Sequence, residues 1–327
     1  MLTKNQKHII VIIISFIVSA IIWQINASWG NTFWVLLIAS ILTFLTVFAP
    51  FEIYFAARDI WVDRWNSLHS KDLKISKIKL KLEDGFLYAN LVEAKDREVV
   101  KSKKTLIVIS HGFSDTKETL QYLYFPLAYQ GFSILTYDAR GIGESKSMGH
   151  RGDFLKRIED FKMIIEWIKR EEAFNSYKIY ALGMSIGALT ALCAGFPSKD
   201  IEKIVAISSM SHYKQSISSS NLVVKFIYFL KGVDISPNDE INQQLSPYIV
   251  LEKIKSTLSR DDWEKLSKRV LLIHSRNDNV IPFLNFEENK TLLELSEENV
   301  LVLSKGGHMQ KMNELALVGA VLKFFNL

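Results

Sequence analysis

The pentapeptide Gly183-Met184-Ser185-Ile186-Gly187 sets a serine between two glycines, directly after an apolar run at Lys178 to Leu182 and directly before the small residues Ala188, Ala191, Ala194 and Gly195. A serine on such a strand-to-helix turn can act as a nucleophile. The glycines permit a turn too tight for side chains, so Oγ stands clear and the helix start faces developing negative charge. Serine is a weak nucleophile and needs a base that is itself oriented by an acid. Both follow in order. Asp278 closes His274-Ser275-Arg276-Asn277-Asp278 after the run Val270 to Ile273, and His308 follows Val300 to Leu303 through Lys305-Gly306-Gly307. The fourth requirement is a pair of backbone amides aimed at a carbonyl oxygen as it becomes negative. His111-Gly112-Phe113 follows Thr105 to Ile109, so the amides of Phe113 and Met184 are the expected donors, with His111 shaping the loop rather than acting as a base. Singly, Ser185 reads as a helix cap, Asp278 as a turn residue and His308 as a loop histidine. Their placement after successive strands favours a joint catalytic role.

The elements that must position these residues alternate between short β-rich runs and longer helical patterns, which indicates an α/β domain with a mostly parallel sheet. Lys74 to Leu82 and Phe86 to Ala94 read as a hairpin about Asp84-Gly85. Thr105 to Ile109, Ser133 to Tyr137, Lys178 to Leu182, Lys203 to Ile207, Val270 to Ile273 and Val300 to Leu303 are nearly continuously apolar, as buried parallel strands are. Asp153 to Glu172 repeats Phe154, Ile158, Phe161, Ile165 and Ile168 at helical spacing, which predicts a helix with its charges on the opposite face. Ser211 to Trp263 lacks a core strand but holds an apolar helical run at Leu222 to Leu230. It reads as an insertion over the sheet, a lid.

The segment from Lys74 to Leu327 resembles the α/β-hydrolase superfamily, especially its serine aminopeptidase and monoacylglycerol lipase-like branch. The resemblance is carried by His111-Gly112-Phe113, by Tyr137-Asp138-Ala139-Arg140-Gly141-Ile142-Gly143-Glu144-Ser145, by the serine turn, by Asp278 ahead of Val280-Ile281-Pro282, and by Gly307-His308. It implies an eight-stranded sheet with one antiparallel strand. It also implies Ser185 as nucleophile, Asp278 as acid and His308 as base, with Asp138 and Arg140 shaping a turn.

Charge distribution adds a second theme. From His8 to Phe51 the 327-residue chain has no Asp, Glu, Lys or Arg, although 23% of its residues are charged. Ile9 to Ile25 and Phe33 to Ala49 are each long enough to cross a hydrocarbon core, with Trp23, Trp29 and Trp34 beside the uncharged turn between them. The expected organisation is a two-helix membrane anchor over 1–51, a linker over 52–73 and a catalytic domain over 74–327 with its lid at about 211–263. Lys4, Lys7, Arg58, Arg64, Lys71 and Lys74 flank the spans, which predicts a multi-pass protein with the soluble part, from about Asp59, in the cytoplasm. A cleaved signal peptide fits less well, because a second span follows at once. The single cysteine, Cys193, excludes an internal disulfide, and no Cys/His cluster supplies a zinc site. The net charge of +5 is not arranged as a nucleic-acid stripe.

The expected chemistry needs no metal or organic cofactor. Its expected partners are the bilayer and an acyl ester, thioester or peptide. A peptidase is the alternative, kept open by the cap carboxylates Asp239, Glu240, Asp261 and Asp262, and a catalytically silent membrane scaffold is a third reading.

Overall fold

The computed structural model describes residues 4–58, 71–220 and 222–326. Asp59, Arg64 and most of the expected linker fall outside the described residues, as do the side chains of Lys4, Lys7 and Arg58. The chain divides into two units between residues 67 and 68.

The first unit is a pair of helices, α1 (Lys4–Ser28) and α2 (Phe33–Arg58). Their apolar stretches, His8–Ser28 and Phe33–Tyr54, run 21 and 22 residues, and at ~1.5 Å per residue each matches a hydrocarbon core of about 30 Å. The helices meet through the Phe16 and Phe44 rings, 5.0 Å apart, and through Ser19 Oγ donating to the Ser40 carbonyl at 2.7 Å. Phe16, Ile38 and Leu42 nevertheless remain largely exposed. By length and composition both helices could span a membrane, and among the described residues little of either apolar stretch is buried.

The second unit holds β1 (Leu73–Leu82), β2 (Gly85–Ala94), α3 (Arg97–Lys103), β3 (Thr105–Ser110), α4 (Gln121–Tyr129), β4 (Ser133–Tyr137), α5 (Phe154–Arg170), β5 (Lys178–Met184), α6 (Ile186–Thr190) and β6 (Ile201–Ile207). Five helices follow: α7 (Tyr213–Ser219), α8 (Leu222–Leu230), α9 (Asp239–Leu245), α10 (Pro247–Lys255) and α11 (Arg260–Ser267). The chain ends with β7 (Val270–Ser275), α12 (Leu284–Leu293), β8 (Val300–Leu303) and α13 (Glu314–Asn326). The strands form one eight-stranded sheet in the order β1-β2-β4-β3-β5-β6-β7-β8. Strand β2 runs antiparallel to both its neighbours, and the pairs from β4 to β8 are parallel. The first hairpin differs slightly from the sequence expectation. Leu82 pairs with Gly85, so Glu83 and Asp84 form the two-residue loop, and Gly85 opens β2 at a positive φ of 149°.

The chain passes from β3 outward to β4 and returns on the other side of β3 as β5. This makes the β3–β5 gap the place where connections leave in opposite directions and a crevice opens at the carboxyl ends of the strands. Helix α5 buries Phe154, Ile158, Phe161 and Ile165 as its periodicity requires, but Arg157 and Asp160 are buried as well, against the expectation that its charges all face out. Asp160 is bidentate with Arg140 at 2.6 and 2.9 Å, and Arg140 also donates to Asp84 at 3.0 Å and to the Met148 carbonyl at 2.8 Å. A buried cation shared in this way ties α5, the β1–β2 loop and the turn after β4 together.

Candidate active site

Ser185 follows β5 at φ +56°, a conformation that costs a non-glycine residue roughly 1–3 kcal/mol. It is tolerable because both flanks are glycine. A Cβ at Gly183 would collide with the backbone at Gly187, and one at Gly187 would collide with the Ser110 carbonyl at the end of β3. The turn is locked by Ser185 N–H donating to the Ile207 carbonyl at 2.8 Å and by Ala188 and Leu189 donating back to the Ser185 carbonyl.

His308 Nε2 lies 2.9 Å from Ser185 Oγ, and its Nδ1 lies 2.8 Å from Asp278 Oδ2. The carboxylate can only accept, so Nδ1 carries the hydrogen and Nε2 is the lone pair facing the hydroxyl. Asp278 Oδ1 accepts the amides of Val280 and Ile281, each at 2.9 Å. Burial alone would raise its pKa, but the hydrogen bond and charge of His308 and the Ile281 amide hold the carboxyl below the ordinary value. The three residues expected from the sequence are thus brought together in hydrogen-bonding series.

The loop that carries His308 is anchored by residues the sequence reading passed over. Asn277 Oδ1 accepts from the Gly307 amide at 2.8 Å and from Ser275 Oγ at 2.7 Å. Fully buried Gln310 donates to Ser208 Oγ at 2.7 Å. Gly306 and Gly307 take φ of +128° and +60°, which lets the loop fold back over β7.

His111 is buried, its Nε2 accepts the Ala139 amide at 3.0 Å, and its Nδ1 sits 2.7 Å from the Gly112 carbonyl. Burial, and then the charge of Arg157, push its pKa down to about 3, so the neutral ring is a strut between β3 and β4. The Phe113 ring meets Phe154 and Tyr228 edge-on at 5.8 and 5.4 Å, which fixes the turn that carries its amide. Met184, the second expected amide donor, is the last residue of β5 and is in register with Ile207. Because neighbouring amides in a strand point to opposite sides and Ser185 N–H reaches β6, the Met184 amide faces β3. The Ile186 amide is the first of α6 and has no intrahelical acceptor.

Two further charges support the floor. Lys117, buried, donates from Nζ to Asp138 and Glu144 at 2.6 Å each. Burial would lower its pKa, but these two hydrogen bonds raise it above the ordinary value. Nothing in the pattern around Lys117 marks it as buried. Asp115 folds back on Gly112, with Oδ1 unpartnered. Burial pushes its pKa up to about 6, only partly offset by the charge of His308, the Gly112 amide and Arg157.

A carboxyl whose pKa is raised by folding favours the fold when protonated, so this contribution is lost as pH climbs from 3.8 through about 6. Asp115→Asn is therefore expected to gain about 1–3 kcal/mol of stability at pH 8 and much less at pH 4, read as the change in Tm at the two pH values. Equal shifts at both would contradict that origin.

Among the described residues no group of three or more His, Cys, Asp or Glu is placed to hold a metal ion. Cys193 is buried, and burial pushes its thiol pKa up, which leaves it unreactive.

Comparison with known proteins supports a hydrolase. Residues 101–233 match the family described as "Serine aminopeptidase, S33", a stretch that includes Phe113 and Ser185 but ends before Asp278 and His308. YitV of Bacillus subtilis (strain 168), named as a proposed esterase, is 24% identical over 208 residues, 61% of this chain and 77% of that one. A lysophosphatidylserine lipase of Gallus gallus is 24% identical over 191 residues, 57% of this chain and 46% of its own. Other curated relatives are matched over 37% of their length, so the chain spans well under two thirds of several proteins it resembles. Among solved structures, an esterase of Pyrococcus furiosus aligns with a TM-score of 0.55 at 19% identity, covering 80% of this chain and 94% of that one. The fold is that of the α/β-hydrolases.

Proposed function

We propose that the protein is a serine hydrolase that cleaves a lipid ester or an acyl-protein thioester at a membrane through an acyl-enzyme. The observation that carries this reading is the series Asp278–His308–Ser185, with contacts of 2.8 and 2.9 Å, at a serine held in a strained turn. Ser185 Oγ attacks the acyl carbonyl while His308 Nε2 takes its proton and Asp278 stabilises the imidazolium. The oxyanion is received by the amides of Phe113 and Ile186, the latter in place of Met184, because only the residue after the serine has an amide free at the helix start. His308 then returns the proton to the leaving alcohol or thiol. In the second half-reaction it activates a water that releases the acid. The names of the Bacillus, Gallus and Pyrococcus proteins, an esterase, a lipase and an esterase, support the ester reading.

The membrane part rests on the two apolar helices and on α8. That helix turns Leu222, Phe226, Phe229 and Leu230 outward, 60–82% exposed, while Tyr228 packs inward on Phe113. It is the lid of this reading, an apolar face beside the catalytic turn of a chain with two candidate spans. Lys71 and Lys74, after the second span, support a cytoplasmic catalytic unit.

A peptidase is the second reading, favoured by the description of the matched family. A peptide N-terminus would need free carboxylates in the cap. Asp239 is paired with Lys214 at 2.8 Å, Asp262 accepts from Ser259 at 2.6 Å, and Asp239, Glu240, Asp261 and Asp262 all lie exposed in the first turns of α9 and α11. They serve helix N-termini, which weakens this reading.

The test is the chain-length profile of ester hydrolysis by the detergent-solubilised chain, from acetyl to palmitoyl, with Ser185→Ala as blank. A Ser185-dependent rate that rises with chain length is expected. Turnover confined to short acyl groups would move the substrate to small acyl compounds or peptides.

A further inference from the structure

The edge strand β1 and the residues just before it carry Lys71, Lys74, Lys77, Lys79 and Lys81, and between residues 71 and 82 the only acid is Asp72. From Ile75 onward the strand alternates. Ile78, Leu80 and Leu82 pack on the core, and Ile75, Lys77, Lys79 and Lys81 turn outward. The neighbouring strand adds two rings to that outward face, because Lys81 is in register with Phe86 and Lys79 with Tyr88. Lys79 Nζ lies 4.1 Å from the centre of the Phe86 ring and 5.7 Å from that of Tyr88. Ile75 and Phe86 are 43% and 39% exposed.

The face stays positive. Lys77 pairs with Glu144 at 3.3 Å, but that carboxylate is shared with buried Lys117 at 2.6 Å, and among the described residues Lys74, Lys79 and Lys81 have no carboxylate at ion-pair distance. Lysines also guard an edge strand against pairing with a second chain. An isoleucine and a phenylalanine exposed among them serve no such purpose. What complements both features is a surface that is anionic and can receive apolar side chains, which describes the head-group layer of an anionic bilayer, where lysine stems lie along apolar groups and their ammonium ends meet phosphate.

We propose that the outward face of β1 and β2 docks on anionic lipid head groups and holds the catalytic unit at the bilayer surface. This rests on the reading of α1 and α2 as membrane spans and gives it a lipid preference. In sequence, β1 follows the second apolar stretch after residues 55–72 alone. A surface tethered to the bilayer by so short a segment meets it as an effectively intramolecular event, so attraction of about fivefold per lysine is enough to populate the docked state. Docking keeps the unit where a lipid ester is found.

The experiment places the full chain in lipid nanodiscs of phosphatidylcholine, without and with phosphatidylserine, acylates its lysines with a water-soluble reagent and reads each site by mass spectrometry. Lys77, Lys79 and Lys81 are expected to react about fivefold or more slowly in the phosphatidylserine discs at low salt, and to recover in high salt. Lys265 on α11 and Lys323 on α13 are expected to react alike in both. Lys79→Gln/Lys81→Gln is expected to remove most of the protection of Lys77, while Lys265→Gln/Lys323→Gln, which loses the same charge, leaves it as in wild type. All four side chains are exposed, so Tm should not move, and the wild-type comparison carries the test if a variant does not fold.

A chain that leaves the discs when detergent is removed overturns the membrane-span reading and the docking with it. A chain retained in the discs whose β1 lysines react equally with and without phosphatidylserine, or whose Lys265 and Lys323 are protected to the same degree, overturns the docking alone. So does protection that duplex DNA produces in neutral discs and phosphatidylserine does not, which would make the face a nucleic-acid surface.

Discussion

Ser185→Ala is expected to reduce kcat/KM for any ester substrate by about 10,000- to 1,000,000-fold, the range seen when a serine nucleophile is deleted from a triad. The size follows from the geometry. His308 Nε2 is 2.9 Å from Ser185 Oγ, and without that oxygen the remaining amides can only stabilise slow attack by water. Folding is expected to be unaffected within about 0.5 kcal/mol, because alanine meets the same strain at φ +56° and the backbone hydrogen bonds that lock the turn do not involve the hydroxyl. Stopped turnover with an unchanged Tm separates a lost nucleophile from a lost fold.

Asp278→Asn has the second largest expected effect, about 10,000-fold in kcat, by a different route. An asparagine can still accept the amides of Val280 and Ile281, so the loop keeps its shape. Its side-chain amide, however, can donate to His308 Nδ1, which moves the ring hydrogen to Nε2 and leaves nothing to take the serine proton. KM should change little, whereas removal of a binding contact would raise KM. The stability consequence carries a definite sign. The Asp278 carboxyl is held below its ordinary pKa, so its contribution is present above 3.8 and is lost as pH falls through the lower folded value. Unfolding curves of wild type and Asp278→Asn should therefore converge in acid and separate toward neutrality.

The parts of the site that were legible in the sequence share one property: a special residue placed directly after a predicted strand. Ser185, Asp278 and His308 each follow such a run, and the glycines at 183, 187, 306 and 307 mark the bends. Six of the eight strands were legible because buried parallel strands are nearly continuously apolar, and the antiparallel pair β1–β2 was legible as a hairpin about Asp84-Gly85. What was not legible is the polar support. Lys117 and Arg157 are charged residues in ordinary-looking surroundings, yet both are buried, because Asp138 and Glu144 hold one while α5 presses the other against the turn at His111. Long-range pairing of this kind leaves no local periodicity to read.

The proposed pairing of Phe113 with Ile186 rather than Met184 differs from the sequence expectation by a single residue. Met184 and Ile186 flank the serine symmetrically in sequence, and only the strand-to-helix switch distinguishes an amide that faces the neighbouring strand from one that opens a helix. The α8 pattern was similarly half-read. Its spacing shows an apolar helix, but not that Tyr228 turns inward to meet Phe113 while Phe226 and Phe229 face out.

The nucleophile itself can be located by treating the solubilised chain with a long-chain alkyl fluorophosphonate, digesting it and mapping the adduct by mass spectrometry. The expected result is one stoichiometric adduct on Ser185, absent from Ser185→Ala and strongly slowed in His308→Ala. An adduct on another serine such as Ser211, or ester hydrolysis that persists with Ser185 unmodified, would contradict it.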